Sequence, residues 1–441
     1  MDWVAFENDR KFVLEGLRHG EVDYVEHVSE AAEADLFRHL ISRDVLTRLA
    51  ETYPTPRKKE EVPVWLYLAS QISLKLHDAS YHAFPYVLRS GGLITALGPN
   101  VGRKAVHPDT ADVTLACEGF NDKNSNGRQT PCDQDFLRKF ARSTKPDRLH
   151  AWFNREVPRC LRSLKLFDAE GLFLGDASYI FVPDNENYED SVKLLFDEHN
   201  HPVDSKEVDL SDKRYQWRRC YKVVSLIHVN RSLDLFLTVA ARVVPGNRHE
   251  CPILYELVDG FVKAVDRGWM KVLMVDRGLI DGANIGRLKR DYQVDTVVPL
   301  KKNMNAYQDV LGLTRLKDFP WGAVSATLCH AARSDRPAQA PDPGQTGTEA
   351  ATDSGEKERT AAPAAASATT DLARDRTGGD ELDRLSGPLT VVINREIDRD
   401  ETVNDWVLGT TSATFSAAQI RSNYTLRTAI EERHRQYRRK S

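Results

Sequence analysis

At Gly171 the hydrophobic period of the chain changes from helical to strand-like, and the order of the segments beyond it leaves few architectures open. Strand-like runs succeed one another over Leu172 to Val182, Ser191 to Phe196, Cys220 to Val229 and Leu233 to Val244, with polar or proline-containing turns between them. This is the pattern of an antiparallel meander. Pro252 to Val265 then has helical spacing, Trp269 to Val275 is strand-like, Gly282 to Tyr292 is helical and Val294 to Leu300 is again a strand. Such alternation calls for parallel strands joined by crossover helices.

A meander that runs into β-α-β-α order on one mixed sheet specifies an α/β domain of the ribonuclease H-like type, whose first part is expected over residues 166–302. Residues 1–165 are expected to form a mostly helical N-terminal region. Asp35 to Thr52 is periodic, Pro54 and Pro56 interrupt it, and Val64 to His77 carries Trp65, Leu68, Ile72 and Leu76 at helical spacing. A short element around Phe84, Tyr86, Val87 and Leu88 follows, ended by Gly91 and Gly92. The aromatic stripes belong to a helical core, and the basic run Arg57 to Lys59 is offset by Glu60 and Glu61. Between Trp321 and Trp406 there is no Phe, Trp or Tyr, and Ser334 to Gly387 is dominated by Ala, Pro, Asp, Thr, Gly and Ser. A stretch of this composition buries too little apolar surface to offset the entropy of ordering, so a disordered linker is expected over about 334–387. Leu389 to Asn394 and Trp406 to Thr411 are strand-like, and a final helix begins near Ser416.

The formal net charge of the 441 residues is −4, so a polyanionic partner would have to be held by local basic patches. The clearest patch is at the C-terminus, where Arg427, Arg433, Arg435, Arg438, Arg439 and Lys440 face only Glu431 and Glu432. Six cysteines without a C-x-x-C pair argue against a zinc knuckle and a disulfide framework, and fit a reducing cytoplasm. The start of the chain lacks a basic segment followed by an apolar one, and no apolar run approaches the length of a membrane span.

Two aspartates stand in places where a carboxylate needs a reason. Asp176 lies inside the apolar run LFLGDASYIFVP, where desolvating a lone charge is costly, so it is an edge residue, half of an ion pair, or functional. Asp276 ends the strand of KVLMVDRGLIDG, and residues at the carboxyl ends of strands in α/β sheets are the usual ligand contacts. The earlier Asp266-Arg267-Gly268 closes a helix, where glycine is a cap signal. In the final helix, Tyr424, Arg427, Glu431 and Arg438 fall within an arc of about 60° at about 100° per residue, with Leu426, Ala429, Ile430 and Tyr437 on the opposite side. Carboxylates on two strands and a helix are what two-metal phosphoryl transfer requires: magnesium takes hard oxygen ligands and keeps some of its waters. A rival metal reading uses Asp197, His199 and His201 in FDEHNHPVD, where alternate strand residues would share a face.

The spacing of Tyr424, Arg427, Glu431 and Arg438 resembles the Y-x2-R-x3-E-x6-K signature of DDE transposases from bacterial insertion sequences of the family-four type. VDRGLIDG resembles their second-aspartate motif and GDASYIFVPDNENY the first. The resemblance implies an enzyme that cleaves DNA and transfers strands at the ends of an insertion sequence. Asp176, Asp276 and Glu431 would be the catalytic metal ligands for two Mg2+ (or Mn2+) ions. Tyr424, Arg427 and Arg438 would contact DNA, with Arg438 standing where the family has lysine; arginine keeps the charge and grips phosphate bidentately. It further implies a strand-rich insertion over 303–412 before the glutamate helix of 413–441, DNA binding in the N-terminal region, a dimer on terminal-repeat and target DNA, and a cytoplasmic, nucleoid-associated bacterial protein. Family members usually continue past the glutamate helix, whereas this sequence stops at Ser441. The alternative is therefore a truncated, non-catalytic DNA-binding derivative.

Overall fold

The computed structural model describes residues 10–21, 31–58, 62–83, 92–97, 103–106, 113–116, 134–315, 323–324, 327–332, 364–368, 382, 384–385, 387–397 and 403–427. The expected element around Phe84, the helix residues Glu431 and Arg438, and most of 334–387 lie outside these. The chain divides into two units, Met1–Cys160 and Leu161–Ser441.

In the first unit the described elements are α1 (Arg10–Arg18), α2 (Ala31–Ser42), α3 (Val45–Thr52), α4 (Val64–Leu76), α5 (Gly92–Leu97), the antiparallel ribbon of β1 (Arg103–Val106) and β2 (Val113–Ala116), α6 (Gln134–Ser143) and most of α7 (Pro146–Ser163), whose last residues belong to the second. Phe37, Leu66, Leu137 and Phe140 form its core. Tyr53 lies stacked on Phe140 at 5.8 Å and edge-on to Trp152 at 5.0 Å. One buried carboxylate ties three helices: Glu33 of α2 accepts from Ser73 Oγ of α4 at 2.8 Å and from the backbone N–H of Gly92 in α5 at 2.7 Å, and lies 2.8 Å from His77 Nε2. Both oxygens of that acid are thereby used, which offsets its desolvation.

The second unit is built on a mixed sheet. Its strands are β3 (Leu172–Val182), β4 (Val192–Phe196), β5 (Gln216–Asn230), β6 (Leu235–Pro245), β7 (Val272–Val275), β8 (Asp295–Pro299), β9 (Ala323–Val324), β10 (Thr327–Ala332), β11 (Ala364–Ala368), β12 (Thr390–Ile397) and β13 (Val403–Thr410). The order is β4-β5-β3-β7-β8-β13-β12-β10-β9, with β6 added to β5 and β11 to β12. β3 pairs antiparallel with β5 and parallel with β7, and β7 parallel with β8. The meander and the β-α-β-α stretch are thus halves of one sheet, joined along β3. Its helices are α8 (Glu250–Val265), α9 (Gly282–Arg287), which runs into a π-helical turn Leu288–Tyr292, α10 (Asn305–Leu313) and α11 (Ala417–Thr425).

Strand alternation sends β3 side chains into two cores. Phe173 joins Val224, Leu226, Leu254, Val258 and Phe261 under α8, while Leu172 and Leu174 join Ile227, Val229, Met274, Ala417 and Ile420 under α11. Gly171 opens β3 at φ +61, where a Cβ would meet Trp269 O at 2.5 Å. Gly175 lies on the α8 face, where a Cβ would stand 2.6 Å from Leu254 Cδ2.

The sequence expectation of a linker over 334–387 differs from the structure in two places. Ala364–Ala368 form β11, paired antiparallel with β12, since a backbone ladder needs no large side chain. Leu382 is buried and Leu385 packs against the main core, so order resumes before Leu389. Among the described residues no helix is long and apolar enough to cross a membrane.

The packing generates two expected outcomes. His228 is fully buried between Phe167 and Phe173; its Nε2 accepts from the Asp168 N–H at 3.2 Å, so Nδ1 carries the proton and donates to Leu172 O at 3.1 Å. Burial pushes its pKa below 6.5, against the opposing pull of Asp168 and of the Leu172 carbonyl. The folded state then binds fewer protons than the unfolded one, so this contribution is complete above pH 6.5 and is lost as pH falls below that value. Urea titrations between pH 8 and pH 5 on the wild type and His228→Gln should show a shallower acid loss in the variant, and a cost of about 1–3 kcal/mol at pH 8. Gly175→Ala, which drives a methyl group into the fully buried Leu254, should cost about 1–3 kcal/mol in the same titration.

Candidate active site

Asp176 sits on an interior strand, between β5 and β7, so the edge explanation for its carboxylate does not hold. The residue is 7 % exposed, and its Oδ1 accepts the Ala177 N–H at 2.8 Å. By alternation it shares the α11 face with Leu172 and Leu174. Ser225, its Cα partner on β5, is also buried.

Asp276 is the first residue after β7. The parallel register pairs Gly175 with Val275, and one step further brings Asp176 and Asp276 to the same level on neighbouring strands. Such strands run about 4.8 Å apart. Asp276 follows Met274 on the α11 face, so both acids project to that side. It is the residue before the 3-10 turn Arg277–Leu279, but its side chain caps no N–H of that turn. The carboxylate is 37 % exposed and faces a cation instead: Arg427 Nη2 lies 3.1 Å from Asp276 Oδ2.

Arg427 arrives on the C-terminal helix. Ser416 and Gln419 close a capping box at its start, with Gln419 N–H donating to Ser416 Oγ at 3.3 Å and Ser416 N–H to Gln419 Oε1 at 2.9 Å. Ala417, Ile420 and Tyr424, at helical spacing, pack on the sheet. Arg231, after β5, holds the helix from outside by donating Nη2 to Asn423 Oδ1 at 2.7 Å. Tyr424 lies 6.0 Å from the Trp406 ring. The side of the helix that carries Tyr424 and Arg427 is therefore turned to the sheet; it is not a solvated face. Leu426, expected on the opposite side, packs against the same core.

The electrostatics tie these groups together. Burial is the largest influence on Arg427 and works against its charge, yet Asp276 and then Asp176 outweigh it, and its pKa lies above the usual arginine value. Its Nη1 donates to Tyr424 Oη at 3.3 Å. Burial raises the Tyr424 hydroxyl pKa, with Arg427 pulling the other way.

Of the residues singled out in the sequence, the structure brings together Asp176, Asp276, Tyr424 and Arg427, while Glu431 and Arg438 lie outside the described residues. Among the described residues no group of three or more His, Cys, Asp or Glu is placed to hold a metal ion. Asp197, His199 and His201 form a polar turn, in which Asp197 Oδ1 accepts the backbone N–H groups of His199 at 2.9 Å and His201 at 2.7 Å. Sequence reasoning missed the Arg427–Asp276 ion pair and the role of Gly175. The glycine directly before Asp176 was the available signal for the close approach of α8.

A family model described as "Transposase DDE domain" matches residues 190–440, more than half of the chain. The matched span contains Asp276, Tyr424, Arg427, Glu431 and Arg438, whereas Asp176 precedes it. No curated protein matches the chain. A mixed sheet flanked by helices fits the ribonuclease H-like fold of these enzymes, which act on DNA in transposition. On this match the chain belongs to the DDE transposase family.

Proposed function

We propose that the protein cleaves DNA strands at the ends of an insertion sequence and transfers them to a target, with Asp176, Asp276 and Glu431 as metal ligands. The observation that carries this reading is the placement of Asp176 and Asp276 at one level on neighbouring parallel strands, facing the helix that leads toward Glu431. Their donors are hard carboxylate oxygens, suited to Mg2+ or Mn2+, and the Arg427 guanidinium resting on Asp276 marks the spot as one that favours positive charge. Two such ions, when bound, activate the attacking oxygen and stabilise the leaving one.

The remaining work belongs to the chain's own side chains. The buried β3 and β7 hold the carboxylates so that the ligands need no rearrangement. Tyr424, Arg427 and Arg438 bind phosphates near the DNA end, Arg438 replacing the lysine of the family-four signature and gripping phosphate bidentately. Residues 303–412 constitute the insertion before the glutamate helix, the N-terminal helical unit binds DNA, and the protein works as a dimer on DNA in the bacterial cytoplasm.

Cleavage of terminal-repeat DNA by the full chain with Mg2+ or Mn2+ tests the reading. Asp176→Asn, Asp276→Asn and Glu431→Gln should each lower the cleavage rate by more than about 100-fold, beyond the loss typical of disturbing a ligand's supporting partners, while DNA binding persists. Cleavage retained in all three variants would refute the assignment, and binding without cleavage by the wild type would leave a non-catalytic DNA-binding protein.

Removing Arg427 and Arg438 together should reduce the slope of log affinity against log salt by about one to two. Tyr424→Phe should impair cleavage with little change in that slope. Filter binding across a salt series checks both, and an unchanged affinity and slope in the double arginine variant would count against phosphate contacts.

A further inference from the structure

Asp176 and Asp276 stand at one level under α11, and two carboxylates so close repel each other unless a cation lies between them or beside them. Among the described residues Arg427 is such a cation. Its Nη2 is 3.1 Å from Asp276 Oδ2, its Nη1 donates to Tyr424 at 3.3 Å, its side chain is only 17 % exposed, and its charge is stabilised by both aspartates. A guanidinium does not deprotonate in proteins, so it cannot yield the place by losing its charge. A divalent ion attracted to the same acids meets a positive charge already at the site.

We propose that Arg427 is a resident counter-ion that keeps metal affinity low until the phosphate of a DNA end draws it away from Asp276. The proposal rests on the reading of Asp176 and Asp276 as metal ligands. A phosphate offers the guanidinium fork an alternative bidentate anion, and the side chain lies just beyond the C-cap of α11, so its long stem can turn toward such a ligand while the buried helix stays in place. Once the guanidinium is shared with DNA, Asp276 is available to the ion. DNA and metal then favour each other's binding, and by linkage the coupling is equal in both directions. The consequence is that the chain loads its catalytic ions chiefly when DNA is in place, which limits stray cleavage.

Calorimetric or paramagnetic-resonance titration of the full chain with Mn2+ tests this without reference to turnover. In the absence of DNA, Arg427→Gln should bind Mn2+ about tenfold more tightly than the wild type, within the usual span of coupling between sites. Arg427→Lys, which keeps the charge, should remain close to the wild type. A short 5′-phosphorylated blunt duplex should tighten Mn2+ binding in the wild type, and the gain should shrink in Arg427→Gln. The Asp276→Asn change should remove the Mn2+ site in both backgrounds. Equal or weaker Mn2+ binding by Arg427→Gln, with Asp276→Asn still abolishing it, would overturn the counter-ion role and leave the metal ligands standing. Mn2+ binding indifferent to Asp176→Asn and Asp276→Asn would overturn the metal reading and this proposal together. Should Arg427→Gln melt far below the wild type, the comparison of Arg427→Lys with the wild type, with and without the duplex, decides: a duplex gain absent from both refutes the proposal.

Discussion

The parallel pairing of β3 with β7 is the constraint on which the rest of the second unit depends. Strand pairing fixes register in whole residues, because a slip of one residue turns every side chain to the other face. With Gly175 opposite Val275, two aspartates a hundred positions apart in sequence come to one level and one face. The register is held by burial on both sides: Phe173 and Leu273 lie in the α8 core, and Leu172, Leu174, Val272 and Met274 in the α11 core. A slip would expose apolar side chains and bury the acids among them.

The two faces of this sheet do different work. Under α8 the packing is apolar, and Gly175 lets Leu254 approach directly behind Asp176. That close wall leaves the backbone at Asp176 little room to move, since well-packed interiors transmit small displacements as strain. Under α11 the apolar packing of Ala417 and Ile420 is joined by the Tyr424 hydroxyl and the Arg427 guanidinium. The capping box at Ser416 fixes where the helix begins, and with it which side chains reach the aspartates. Arg231, bonded to Asn423, anchors the far side of the same turn.

Charge balance completes the arrangement. Among the described residues, Arg427 compensates Asp276 and, more weakly, Asp176, and it lies 151 positions beyond Asp276 on a different element. A partly buried pair of this kind contributes little net stability, because desolvation and solvent screening offset much of the attraction. The Glu33 cluster of the first unit differs in this respect: its acid is met by a hydroxyl, a backbone N–H and an imidazole, all from helices it ties together or their ends.

Local pattern was sufficient for the meander, for the alternating strands and helices, for the Ser416 start of the last helix, and for the suspicion attached to Asp176 and Asp276, because period, caps and a carboxylate in an apolar run are all properties of neighbouring residues. It was insufficient within 334–387, where β11 and Leu382 gain order from partners far along the chain. It also left open what the Tyr424–Arg427 face meets, since a helical wheel gives which residues share a side but not what that side meets. The sequence by itself determined the strand and helix order from Leu172 to Leu300 and singled out Asp176 and Asp276 as acids in unusual places. Only the tertiary structure decided that two of the acids share one level, that Arg427 rests on one of them, and that Gly175 admits α8 behind them, because register, approach distance and charge pairing are relations between segments that no local pattern encodes.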